Sequence, residues 1–419
     1  MILHGNLTAK AGSSFYSHSG TLDSLFFAGT GVQTYTAGAM SNGNRINTLV
    51  LSGSTVDMDT SAFQGSASTF TTDSGATLRS GHSLGLSGNI PVGGAVNLSA
   101  GTNYLFDGSA QQATGLLLPA QVHNLSINNA SGVTLSDTVS VNGALTLSGG
   151  ILYVGVNTVG AASVSGGSST NYISTDSLTG HLAVPKVGTT EVLFPVGTAA
   201  KGYSPVWIAN SGTVDTFAVL ALPDTTMTTN GLGRVDVKWR ISESLVGGSN
   251  CTLKFGWMPG AEDSVFAKNR AAYALIYLLS DTGTSEAGSG SYTSQFTSQP
   301  YTLSRGGVAS FGTFSVGHFT TTAVNEIQGV PVKFELHQNY PNPFNPTTRI
   351  EFTVLKKDLA TVKVYNILGQ EVTTLFSAEA RPGTKYSVDF NAGAFASGVY
   401  FCVLQSSGQR QIQKMVLMK

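Results

Sequence analysis

Catalysis and metal binding need titratable or nucleophilic side chains brought together, and this sequence offers few candidates. The seven histidines, His4, His18, His82, His123, His181, His318 and His337, stand singly, without the short spacings that aim two imidazoles at one metal. There is no phosphate-cradling P-loop and no Cys-x-x-Cys pair. Asp57-Met-Asp59 is the one close carboxylate pair in the first 165 residues. A separation of two puts both carboxylates on one strand face, where a calcium site or an acid–base pair could form; a solvated polar face is the plainer reading. Trp207, Trp239 and Trp257 could make a sugar-stacking platform, but their strand-like settings read as core. The expectation is a protein that is not an enzyme, with no catalytic residues, cofactor or metal site.

The elements that would carry such groups are β. Only 11% of residues are charged, against about 25% in a typical domain, and 50 of 419 are Gly. No three-residue Gly period appears, so collagen is excluded. Abundant Gly, Ser and Thr with little charge describe a turn-rich β protein. A net charge of −1 gives no electrostatic basis for binding nucleic acid or an anionic membrane. No apolar run reaches the roughly 18 residues of a spanning helix. Cys251 and Cys402 fall in different expected domains and read as two buried free thiols.

Residues 1–165 read as an internal repeat. Phe27-Ala-Gly-Thr-Gly-Val-Gln33 is echoed 79 positions later by Phe106-Asp-Gly-Ser-Ala-Gln-Gln112. Within it, short apolar phrases such as Val133-Thr-Leu135, Val139-Ser-Val141 and Leu145-Thr-Leu147 alternate with Ser or Thr and end at Gly or Asn corners. Strands this short bury a face only by stacking in coils, which predicts a parallel β-helix or similar solenoid; a Gly-rich antiparallel sandwich is the alternative. Charge is nearly absent here: the first glutamate in the chain is Glu191.

From 166 to 320 the composition shifts. All three tryptophans lie here, on phrases such as Pro205-Val-Trp-Ile208, Val235-Asp-Val-Lys-Trp239 and Leu253-Lys-Phe-Gly-Trp257. Large aromatics at alternating positions predict a β-sandwich. Tyr273–Leu279 reads as a buried strand, 282–299 as a Gly/Ser/Thr loop, and 321–332 as a linker.

The last stretch opens on Leu336-His-Gln338-Asn339-Tyr340-Pro341-Asn342-Pro343-Phe344-Asn345-Pro346. Three prolines in six residues forbid a helix or ladder-bonded strand and predict a stiff, extended lead-in. Behind it Ile350, Phe352 and Val354 alternate with polar residues, Gly369 offers a positive-φ turn, and Val399–Leu404 is apolar on both faces like a central strand. These features predict a small immunoglobulin-like β-sandwich. The phrase resembles the opening of the C-terminal sorting domain of cargo exported by the bacterial type IX secretion system. The resemblance extends through Thr348–Phe352, then Tyr365, Asn366, Leu368, Gly369 and Gln370, then Ser397, Gly398, Val399 and Tyr400, and ends on Lys414 and Lys419. Two positions depart from the family pattern, Phe390-Asn-Ala-Gly393 and Cys402.

The resemblance implies an address read by the type IX secretion machinery, cut off in the linker as the cargo is anchored at the cell surface, with a surface glycan or lipopolysaccharide as the anchor. It also implies a signal peptide, which Met1–Asn6 does not supply. Asp137-Thr-Val139, Asp176-Ser-Leu178 and Asp263-Ser-Val265 resemble the short O-glycosylation phrases of such cargo. The expected whole is an all-β, secreted or cell-surface structural or adhesive protein. It would be a homo-oligomer or polymer forming a fibre, sheath or layer. The alternative is a surface carbohydrate-binding or polysaccharide-degrading β-helix.

Overall fold

The fold is nearly all β, 55% strand and 4% helix, with a β-solenoid of about 8 turns in its N-terminal region. The structure, a computed structural model, describes residues 2–8, 23–36, 46–63, 68–224, 233–280, 283–317, 334–356, 358–380 and 385–418. The expected linker 321–332 lies outside the described residues. The chain forms two compact units, Met1–Phe319 and Thr320–Lys419.

Short strands with apolar residues every second position form the solenoid because each rung buries its apolar side only against its neighbours. Val56, Leu78, Tyr104, Leu125 and Leu145 follow one another in a single parallel ladder, and all five are buried. A second parallel sheet runs through Asp23–Phe27, Ile46–Val50 and Phe70–Thr72, and a third through Gln112–Ala113, Val133–Thr134, Leu152–Tyr153 and Ile173–Ser174.

The echoed phrase is a corner between sheets. Phe27 and Phe106 are fully buried at strand ends, and six residues on, Gln33 and Gln112 turn inward. Gln33 Oε1 accepts from the Gly29 amide (2.9 Å), and its Nε2 donates to the carbonyls of Leu3 and Gly5. Gln112 repeats the pattern with Gly108 (2.8 Å) and the carbonyls of Ser80 and His82. Glycine is required at the third position because a Cβ on Gly29 would lie 2.9 Å from Gln33 Cδ, and one on Gly108 would lie 2.8 Å from Gln112 Oε1. One buried amide thus satisfies three backbone groups that leave the ladder at the corner.

Sheet and core continue past residue 166. Leu182–Val187 pairs in parallel with the rung Val159–Gly166 and antiparallel with Asp215–Pro223, which carries the sheet into Arg234–Glu243 and Gly312–Gly317. A second antiparallel sheet (Val192–Phe194, Val206–Asn210, Cys251–Trp257, Tyr301–Val308, Tyr292–Gln295) shares the core. Trp239 packs at 5.0 Å from Phe255, and Phe255 at 5.5 Å from Phe314.

Two local expectations need correction. The 282–299 stretch carries the strands Gly283–Glu286 and Tyr292–Gln295, since Tyr277 pairs with Glu286 and Tyr292 with Arg305. Both are hairpin pairings between neighbouring strands, and the polar composition hid them. The Tyr273–Leu279 phrase is split: Ser264–Tyr273 is a helix and Leu275–Ser280 the strand. Asp263 caps that helix, its Oδ1 accepting from the amides of Val265 and Phe266.

Replacing Gln112 with Leu should leave the Gly108 amide and two buried carbonyls unpaired, costing about 2–3 kcal/mol. The measurement is the urea midpoint of the purified protein, expected to fall with an unchanged slope; an unchanged midpoint would contradict the bracing role.

Candidate functional site

The C-terminal unit is a sandwich of two antiparallel sheets. One is Glu335–Leu336, Thr347–Thr353 and Lys385–Asn391; the other is Glu371–Ala380, Asp358–Tyr365, Gly398–Ser406 and Gln409–Leu417. The alternation seen in sequence places Ile350, Phe352, Val354, Val362, Val364, Cys402 and Leu404 in one core. Gly369 has φ 75°, as the turn requires. Burial pushes the thiols of Cys402 and Cys251 up to about 12, and both are free.

The proline-rich phrase, predicted as an extended lead-in, is folded into this sandwich and ties its two sheets together. Leu336 pairs with Phe352, and Tyr340 exchanges two backbone hydrogen bonds with Arg349 (2.9 and 3.0 Å), fixing the phrase to one sheet. Gln338, Asn342 and Phe344 then reach the last strand of the other sheet. The carbonyl of Lys414 accepts from the amides of Gln338 (2.9 Å) and Asn342 (3.1 Å), and Asn342 Oδ1 accepts from the Val416 amide (2.8 Å). Phe344, buried, bonds Val416 and Met418 through its backbone. Pro341 and Pro343 need no ladder partner because a proline nitrogen has no proton to donate.

Asn339 is the hidden pivot. It is 2% exposed, and its amide donates to Thr348 Oγ1 (2.9 Å) and the Pro341 carbonyl (3.1 Å), while the Thr348 hydroxyl donates to that carbonyl at 2.7 Å.

The phrase therefore has two sides. Leu336, Asn339 and Phe344 face inward, whereas Gln338, Tyr340, Pro341, Pro343, Asn345 and Pro346 are exposed, Tyr340 at 82%. Beside Tyr340 lies an open groove of about 610 Å³ lined by Pro341, Thr348, Arg349, Glu351 and Asp389. Arg349 and Asp389 pair across its floor at 3.0 Å, which holds the guanidinium above its usual range.

The remaining motif residues divide the same way. Tyr400 is buried and donates its hydroxyl to the Ala396 carbonyl, with Ser397 and Gly398 forming the exposed approach and Val399 half-buried. Asn366 organises the Tyr365–Gln370 turn, displaying Leu368. Lys414 is exposed, and Lys419 lies outside the described residues. Sequence reasoning missed Gln411 and Gln413, which bond the backbone amide and carbonyl of Leu336. Their spacing of two on the last strand was the available signal.

Elsewhere the sequence candidates do not converge. Asp57 pairs with Arg79 (3.4 Å), which also holds Asp107 (2.6 Å), so a cation already occupies that face. Among the described residues no group of three His, Cys, Asp or Glu side chains is placed to hold a metal. Trp239 and Trp257 are fully buried core, and Trp207 is half-buried with Lys254 over its ring at 4.5 Å.

Residues 338–418 match the family model described as the secretion system C-terminal sorting domain. No curated protein and no solved structure matches the chain. The C-terminal unit is a type IX secretion sorting domain, handled by that machinery, and it directs export to the cell surface or extracellular space. No described helix is long and apolar enough to cross a membrane.

Replacing Asn339 with Ala should free the clasp without filling or emptying the core. Hydrogen exchange in the full-length protein should then quicken at the amides of Val416 and Met418 by about fivefold or more, from a loss of about 1–3 kcal/mol. Unchanged protection there would contradict the pivot role.

Proposed function

We propose that the exported chain is structural material instead of a catalyst. The solenoid and its sandwich are the displayed part, and copies pack into a fibre, sheath or layer at the cell surface. The observation that carries this reading is the rows of neutral hydroxyls and amides that climb the solenoid from coil to coil. Asn103, Asn124 and the Ala144 amide form one such row (2.8 and 2.8 Å), and Thr146 with Ser165 another. Repeated neutral donors and acceptors suit packing against an identical neighbour, because no like-charge repulsion opposes it. A surface glycan or lipopolysaccharide would anchor the chain after cleavage in the 321–332 segment.

A second reading, binding to a surface carbohydrate, is favoured by one groove of about 340 Å³. It is lined by Tyr203, Trp207, Met258 and Pro300 with Ser168 and Gln299 at its polar side, a mixture that suits a neutral sugar ring.

Negative-stain electron microscopy of protein recovered from the cell exterior tests the first reading. Filaments or sheets with a regular repeat are expected; monomers at every concentration, together with saturable binding on a glycan array, would move the assignment to the second.

A further inference from the structure

The tip of the Tyr365–Gln370 turn combines rigidity with exposed apolar surface. Asn366 Oδ1 accepts from the amides of Leu368 and Gln370, both at 3.0 Å, and its Nδ2 donates to Gln370 Oε1 at 2.9 Å. The backbone closes the loop twice more, Asn366 to Gln370 and Gly369 to Asn366, both at 3.0 Å. Five hydrogen bonds thus fix six residues, and what they hold outward are Ile367, 72% exposed, and Leu368, 78% exposed. Single exposed aliphatics are ordinary on a surface. Two adjacent ones on a turn closed by five hydrogen bonds are not explained by folding, since neither side chain enters the core of the unit.

The turn borders a hollow of about 410 Å³ lined by Tyr365, Phe401, Val403, Ile412 and Arg410. The nearby ion pair Lys363–Glu371 is closed on itself at 2.9 Å, and Arg410 is the one charged residue in the lining of the hollow. We infer that Ile367 and Leu368 form a pre-organised apolar prong that inserts into an apolar pocket on a protein of the export machinery, with the neighbouring hollow receiving the pocket's rim. A rigid prong loses little conformational entropy on docking, so two side chains can act as an anchor. The partner is assigned to the export machinery because this unit is the part that machinery handles. A lipid surface is a poorer fit: the tip carries no cluster of Lys or Arg and no amphipathic helix.

The test is the double substitution Ile367→Ser with Leu368→Ser in the full chain, expressed in an export-competent host. Surface protein should fall at least tenfold and accumulate in the periplasm, while the purified variant keeps the parental melting temperature, since both positions lie outside the core. The conservative pair Ile367→Val with Leu368→Met should restore export. Normal export of the serine variant would overturn the inference, as would liposome binding by the parent chain that the serine variant loses. Deletion of residues 334–419 runs alongside. If the deletion blocks export and the serine variant does not, only the prong is wrong; if the deletion also exports, the sorting role itself fails.

Discussion

Several corners of this structure depend on buried carboxamides that saturate backbone groups where the chain leaves a ladder. A corner inside a β protein strands N–H and C=O groups away from water, and each unpaired group costs about 1–3 kcal/mol. A charged side chain could bond them only after losing its own hydration. An amide offers a donor and an acceptor on one short arm, and the chain uses it repeatedly. Gln33 and Gln112 brace two solenoid corners. Buried Asn89 ties the carbonyls of Asp59 and Ser61, and buried Asn210 holds the Gly212 and Asn250 amides. Asn339 does the same in the C-terminal unit. A chain with 11% charged residues can build so many corners because neutral amides do what salt bridges would do less well.

The same device serves two ends. In the solenoid it lets corner follow corner in a stack that carries few charges. In the sorting unit it divides a short phrase into buried and displayed halves. The inward residues fix how the two sheets meet, and the outward ones, Tyr340 among them, are thereby held in one place. A recognition surface built this way needs no catalytic group, only a stable platform.

Much of this was legible in the sequence. Period-two alternation gave Ile350–Val354 and the buried ladder through Leu125 and Leu145, because burial on one face leaves no other pattern. The Phe-x-Gly-x-x-x-Gln echo was visible, but its meaning was not: the Gln acceptors, Leu3 and Ser80, lie in the preceding coil, about thirty positions away. Polar composition hid the hairpin strands at Gly283–Glu286 and Tyr292–Gln295, which lack the apolar alternation that marks a strand. The helix Ser264–Tyr273 was missed because its alternation is weak and its best signal, the Asp263 cap, is a single residue. The proline phrase was identified by resemblance, yet prolines alone predict only an extended chain; the amides between them supply the fold.

Residues 334–419 should act as a self-sufficient folded address. Fusing them to an unrelated periplasmic carrier, expressing the fusion in a host with this export system and measuring the carrier's surface fraction tests it directly. The carrier is expected to reach the cell exterior. A fusion that folds, resists protease at its C-terminal unit and still stays in the periplasm would contradict it.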